Sequence, residues 1–91
     1  MPPPRDIVHH PDFDADCARL GPPPLIDDAI GYLTFRLAQN PAMGIQITPA
    51  QWAQPFRLFI HGQLRNFAIY YRFDDQTLTL RGLTETFVIL N

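Results

Sequence analysis

The fold is decided by residues 55–83, which read PFRLFIHGQLRNFAIYYRFDDQTLTLRGL. Apolar and polar side chains alternate along this stretch with a period of two, which is typical of half-buried β-strands. The alternation predicts three strands, Phe56–His61, Arg65–Phe73 and Thr77–Leu83. Because the turns between them are short, we expect the strands to form an antiparallel meander.

The alternation also separates the two faces of the predicted sheet. One face collects large apolar side chains from all three strands, and we expect it to lie under helices. The opposite face is predicted to carry Arg57, Phe59, His61, Asn66, Ala68, Tyr70, Arg72, Thr77, Thr79 and Arg81. A cationic, aromatic face suits the phosphates and bases of single-stranded RNA, or an acidic protein segment. A merely solvated sheet face is the alternative, since Arg and Thr are ordinary residues on the water side of a strand.

Ahead of the meander, the sequence predicts one short strand and a first helix. Asp6–His9 is β-prone. Asp12 is a natural N-cap for a helix that continues to Leu20, and acids in its first turn suit the positive end of the helix dipole. The Gly-Pro-Pro-Pro of residues 21–24 ends that helix.

An apolar stripe at helical spacing predicts a second helix from about Leu25 to Gln39. Pro41 disfavours helical geometry at the preceding residue and ends it. Gly31 costs about 1 kcal/mol in the middle of this helix, which indicates close packing against a neighbour. The expected fold is therefore α+β, with a strand, a two-helix hairpin and a three- to four-stranded antiparallel sheet with the helices on one face.

Length and composition favour a small cytoplasmic protein. The 91 residues suit one domain, predicted to span 6–91 after a disordered Pro-rich tail at 1–5. Cys17 is the one cysteine, which excludes an intramolecular disulfide. No apolar run reaches the length of a membrane span. The net charge is −2, yet it is unevenly placed: −4 over residues 1–28 and +2 over residues 55–83.

Acids near the start of the first helix raise the question of a metal. Read as a calcium loop beginning at Asp12, the sequence has Cys17 where the loop needs Gly and Pro23 where it needs Glu. Helix capping accounts for these acids, so we predict no metal site and no cofactor. Cys17 shares a helix face with Phe13 and Leu20, which favours a buried, unreactive thiol.

In the order and spacing of its elements, the chain resembles the RelE/ParE toxin superfamily. The matching segments are Leu37–Pro41 followed by Gly44, the strand Phe56–Phe59, the strand Ile69–Asp75 and the strand Thr77–Leu83. The likeness spans about residues 6–86. It implies the toxin half of a bacterial two-protein module, neutralised by a cognate antitoxin and acting either on DNA gyrase, as ParE does, or on translating mRNA, as RelE does.

The chain departs from the pattern of the mRNA-cleaving members. Ala68 stands where the family often has Arg, and Thr84 and Thr86 stand near the usual His and Arg after the last strand. Because ribonucleolysis needs a base and a cation beside the phosphate, these departures favour the gyrase branch. His61 and Tyr70 are the candidate catalytic substitutes. A catalytically inactive, RelE-like interaction module is the alternative.

Two parts of the chain are expected to bind a partner, the arginine-bearing face of the sheet and the C-terminal apolar tail. The binding surface is predicted from Arg57, Phe59, Arg65, Arg72 and Arg81. The apolar tail Phe87, Val88, Ile89 and Leu90 would be an aggregation liability in water. It either packs on its own sheet or forms a homodimer or antitoxin contact, and an acidic antitoxin would suit the arginine face.

Overall fold

Two α-helices and five β-strands make up the computed structural model, which describes residues 5–20 and 23–86. In chain order they are β1 (Asp6–His9), α1 (Pro11–Leu20), α2 (Pro23–Gln39), β2 (Ile45–Thr48), β3 (Gln51–Ile60), β4 (Gln63–Phe73) and β5 (Thr77–Thr86), with a 3-10 turn at Pro41–Met43. The mixed α+β class is confirmed. The tail Phe87–Leu90, to which a partner contact was assigned, lies outside the described residues, as do residues 1–4.

The sheet has the strand order β1-β5-β4-β3-β2. β3, β4 and β5 form the expected antiparallel meander. β1 joins it by parallel pairing with β5, with Asp6 opposite Thr77 and His9 opposite Leu80. β2 pairs with the start of β3 and adds the fifth strand. The four strands after the helices are antiparallel, as expected, and β1 makes the sheet five-stranded by joining it in parallel.

Both outer strands of the meander are longer than the alternation indicated. β3 begins at Gln51 instead of Phe56, so Trp52 lies in a strand. Pro55 does not end β3, because the pairing of β2 along β3 reaches no further than Ala53. A proline is tolerated where a strand has a neighbour on one side. β5 continues past Leu83 to Thr86, in register with β4.

The first helix begins earlier than its acids predicted. His10, and not Asp12, provides the cap: its carbonyl accepts from Phe13 N–H at 2.9 Å and its Nδ1 accepts from Asp12 N–H at 3.1 Å. Pro11 then occupies the first helical position, where a missing N–H costs nothing. Asp12 and Asp14 lie in the first turn and favour it through the helix dipole.

The core forms between the helices and one face of the sheet. Its fully buried members come from α1, α2, β3, β4 and β5; they are Phe13, Ile26, Ile30, Leu37, Ala38, Ile60, Phe67, Ile69, Tyr71, Leu78, Leu80 and Leu83. Tyr71 carries the core's one phenol, which donates to the buried Pro41 carbonyl at 2.5 Å. That bond fixes the 3-10 turn against β4.

Gly31 does not have the role that its position suggested. An ideal Cβ built on it would meet no described atom within 4 Å. Close helix packing is therefore not the reason for this glycine. Gly44 shows what close approach looks like: its Cβ would collide with the Tyr71 hydroxyl and lie 2.7 Å from the Ala53 carbonyl oxygen.

Candidate functional site

The pairing register defines the face of the sheet opposite the helical core, here called the outer face. Residues directly opposite each other across antiparallel strands point to the same side. Arg57 lies opposite Asn66, Tyr70 opposite Ala53, and Arg72 opposite Thr79. The outer face is formed by Asp6, Val8, Ala53, Pro55, Arg57, Phe59, Leu64, Asn66, Ala68, Tyr70, Arg72, Thr77, Thr79, Thr84 and Thr86.

Arg81 joins this face through an irregularity. Gly82 lies opposite Tyr70 and Leu80 opposite Tyr71, so Arg81 is the extra residue of a β-bulge. It is exposed and lines, with Arg72 and Thr79, an open depression of about 340 Å³. The bulge therefore brings a second guanidinium to the Arg72 end of the outer face.

The outer-face arginines form two groups and not one cluster. Arg57 lies opposite Asn66 on β4. Asn66 and Arg72 are six residues apart on that strand, which corresponds to roughly 20 Å. One group, the base group, comprises Arg72, Arg81 and the neighbouring Thr79. The other, the tip group, combines Arg57 with two exposed apolar side chains near the β3–β4 turn.

The apolar part of the tip group is the pair Phe59 and Leu64. They face each other across β3 and β4 and are 68% and 47% exposed. Leu64 was assigned to a turn, although counting back by two from Asn66 would have placed it on the outer face. An exposed aromatic and aliphatic pair beside a cation is typical of a contact surface.

The partners of the seven arginines separate this face from the rest of the surface. Four have an identified partner: Arg5 Nε donates to the Asp74 carbonyl at 2.5 Å, Arg19 to Asp16 at 2.8 Å, Arg36 to Tyr32 at 3.0 Å, and Arg65 to Glu85 at 2.6 Å. The remaining three, within residues 5–20 and 23–86, pair with nothing. They are Arg57, Arg72 and Arg81, the three arginines of the outer face.

Arg65 does not belong to the binding surface to which it was assigned. Its register partner is Leu58, which places it on the same side as Phe67 and the helices. Both its Nε and an Nη donate to the Glu85 carboxylate at 2.6 Å, and an Nη also donates to the Leu20 carbonyl at 3.2 Å. Arg65 thus links the end of α1 to β4 and β5.

The candidate catalytic residues His61 and Tyr70 are far apart. His61 is exposed in the β3–β4 turn, in the left-handed region with φ of 51°. Tyr70 lies on β4 seven residues beyond Gln63, where that turn ends. Seven residues of strand span about 24 Å. Side chains this far apart do not act together on one bond, so the structure does not bring the two candidates into one site.

The positions matched to the family's catalytic His and Arg lie inside a strand. Thr84 is exposed on β5 opposite Ala68, and Thr86 lies opposite Asn66. The sequence comparison expects them after the last strand, whereas both lie within β5. Neither side chain is an imidazole or a guanidinium, and the described residues include no cluster of three or more His, Cys, Asp or Glu side chains able to hold a metal ion.

Comparisons with protein-family models, curated proteins and solved structures gave no match for this chain. None of the helices formed by the described residues is long and apolar enough to span a bilayer. The function therefore has to be argued from the chemistry of the outer face.

Proposed function

We propose that the protein is the toxin-like component of a bacterial two-protein module and acts by binding, through the outer face, to an anionic macromolecular partner. One observation carries the proposal: the three arginines that lack a partner in the described part of the chain all lie on this face. A guanidinium held in water without a partner is available for a carboxylate or a phosphate. The resemblance to the RelE/ParE superfamily supplies the biological setting.

The separation of the two arginine groups favours an elongated partner. A segment that contacts both groups must reach roughly 20 Å along β4, the length of about six extended residues or of a helix of three to four turns. An acidic antitoxin segment has that length and the required charge. The exposed Phe59 and Leu64 would pack against its apolar side.

Action by binding is preferred over mRNA cleavage because the two candidate catalytic side chains do not come together among the described residues. His61 and Tyr70 lie about 24 Å apart along the strand direction. Ribonucleolysis needs a base and a cation within hydrogen-bond reach of one phosphate. A ParE-like action on DNA gyrase agrees better with this arrangement than a RelE-like action on translating mRNA.

The alternative is an interaction module without toxic action. It is favoured by the same separation of His61 and Tyr70, since a domain that has lost catalysis keeps its binding face. Both candidates predict an anionic partner at Arg57, Arg72 and Arg81. They differ in whether production of the protein alone harms the cell.

Induced expression with and without the product of the adjoining open reading frame tests the proposal. We expect growth arrest from the protein alone, loss of DNA supercoiling before loss of translation, and rescue by the neighbouring product, which co-purifies. The variant Arg57→Ala/Arg72→Ala/Arg81→Ala should weaken the complex at least about tenfold at low salt. Arg36→Ala, on an exposed part of α2, is the matched control and should bind normally.

Two outcomes decide against the proposal. Harmless expression with an intact complex would favour the interaction module. Cleavage of translated mRNA by the purified protein would overturn action by binding.

A further inference from the structure

A cavity of about 490 Å³ opens between α1, α2 and the end of β1, on the helical side of the molecule. Its apolar lining includes Phe13 and Ile30, both buried, and its polar lining includes Asp14, Asp27 and Thr34. This volume is in the range of pockets that bind small molecules. The cavity is remote from the outer face and plays no part in the function proposed above.

Gly31 is the first sign that the cavity is retained for a reason other than packing. It lines the cavity in the middle of α2, and an added Cβ would meet no described atom within 4 Å. A glycine there costs the helix about 1 kcal/mol relative to alanine. Since packing does not require it, the effect of Gly31 is to keep the wall of the cavity free of a side chain.

The polar lining of the cavity offers acceptors at Asp14, Asp27 and Thr34, beside the His9 ring and the Cys17 thiol. Asp27 is exposed on α2 and has no hydrogen-bond or ion-pair partner within residues 5–20 and 23–86, and Asp14 pairs with His9 at 3.0 Å. Thr34, a buried polar residue, donates its hydroxyl proton to the Gly31 carbonyl at 3.3 Å and keeps its lone pairs for a donor. The described residues that line the cavity include no Lys or Arg.

From this geometry we infer that the cavity binds a small organic cation, an amine or amidine on an apolar body, with Asp27 as its counter-ion. The apolar body lies against Phe13 and Ile30, and the cationic group donates to Asp27. A metal ion is a poorer fit, because the acids, His9 and Cys17 do not converge on one point within the described residues. Burial, followed by the nearby acids Asp14, Asp27 and Asp16, raises the pKa of the Cys17 thiol to about 11, in agreement with an acidic lining.

Benzamidine is a suitable probe, with benzamide as its neutral isostere and benzoate as its anionic one. Amide chemical shifts of the ¹⁵N-labelled full chain are followed at about pH 8, where an ordinary imidazole is neutral. We expect saturable shifts confined to α1, α2 and β1 with a Kd of about 1 mM, a usual value for so small a ligand. Benzamide should bind about tenfold more weakly, the effect of one favourable charge interaction, and benzoate should not bind.

Two variants test the site itself. Asp27→Asn should weaken benzamidine binding about fivefold, whereas Asp28→Asn, the same charge change one residue away and outside the lining, should change it less than about twofold. Gly31→Leu should fill the cavity and abolish binding while the helix stays folded, because leucine favours helix over glycine. Thermal unfolding verifies that each variant is folded.

Three results would overturn the inference: equal affinity for benzamidine and benzamide, equal weakening by Asp27→Asn and Asp28→Asn, or no saturable shift at all. Equal affinity for the two ligands would mean that the ligand's charge is not recognised. Equal weakening by the two variants would mean that only the net charge of the protein matters, and the absence of a saturable shift would mean that the cavity binds neither ligand. None of them bears on the outer face, so a failure here is distinguishable from a failure of the proposed function.

Discussion

Tyr71→Phe tests how the 3-10 turn is held to the sheet. The Tyr71 side chain is fully buried, and its hydroxyl donates to the carbonyl of Pro41, itself buried. Removing the oxygen breaks this bond and leaves the Pro41 carbonyl without its donor in a place that water does not reach. A buried acceptor that loses its partner costs about 1–3 kcal/mol, so we expect the free energy of unfolding to fall by about 2 kcal/mol. Tyr70→Phe, on the neighbouring residue of the outer face, should change it by less than about 0.5 kcal/mol.

The pH dependence tests a different property of the same hydroxyl, the cost of ionising it where it is buried. Burial raises the pKa of Tyr71 to about 12, against an opposing hydrogen bond from the Gly44 backbone. Because the folded-state pKa is above the unfolded one, the stabilisation is complete below about pH 10 and is lost as the pH rises toward 12. Two pKa units correspond to about 3 kcal/mol. This alkaline loss should be absent from Tyr71→Phe.

Urea unfolding at neutral pH and at a series of alkaline pH values measures both effects. A double-mutant cycle adds the geometry: Gly44→Ala alone should cost about 1–3 kcal/mol through collision with the Tyr71 hydroxyl and the Ala53 carbonyl. In the Tyr71→Phe background its cost should be smaller by about 1 kcal/mol, since one of the two collisions is gone. Strict additivity, or equal stability of the Tyr70 and Tyr71 variants, would refute the assigned contact.

Three further predictions concern the helices and the Arg65 ion pair. Gly31→Ala should raise the free energy of unfolding by about 1 kcal/mol, seen as a higher Tm, because the new methyl meets no described atom; a lower Tm would contradict the open cavity wall. Glu85→Gln should lower the free energy of unfolding by about 1 kcal/mol. Arg65 holds the pKa of Glu85 below its usual value, so the stabilisation by the pair is complete above the unfolded-state pKa and is lost as the pH falls through the folded-state pKa. This loss should be missing from the acid unfolding curve of Glu85→Gln. Alkylation of Cys17 at about pH 8 should be at least about tenfold slower than that of a free thiol, as its pKa is about 11, and Asp27→Asn should accelerate it; unchanged rates would show that Asp27 does not act on the thiol.

Much of the fold could be predicted because its signals are local. The meander and its two faces follow from a period of two between Phe56 and Leu83, and the register agrees with that assignment. The extent of the strands could not be predicted in the same way. In the sequence, Pro55 looks like the start of a strand. In the structure β3 tolerates Pro55 in its interior because the pairing with β2 ends at Ala53, and this pairing is a contact between separate strands.

The sequence predicted which residues share the candidate face but not the distances between them. Arg57 and Arg72 were read as one cluster, whereas six residues of strand separate Asn66, opposite Arg57, from Arg72. Counting residues along β4 would have revealed this separation, and likewise that of His61 from Tyr70. Arg65 differs from the other residues of the predicted binding surface in another way, because its alternation with Phe67 places it on the helical side.

Which arginines remain available is decided by tertiary structure, and Arg72 shows why. Asp74, two residues away, looks like its natural partner in the sequence. Its Oδ1 instead accepts from the backbone N–H groups of Gln76 and Thr77 and from the Thr77 hydroxyl. These hydrogen bonds hold the pKa of Asp74 below its usual value, and the bond from Gln76 has the largest effect. The nearest acid is thus committed to the β4–β5 turn. Glu85, by contrast, pairs with an arginine 20 residues away. Because Asp74 and Glu85 are used in this way, neither pairs with Arg72, and an unpaired guanidinium on the outer face can bind an anionic partner.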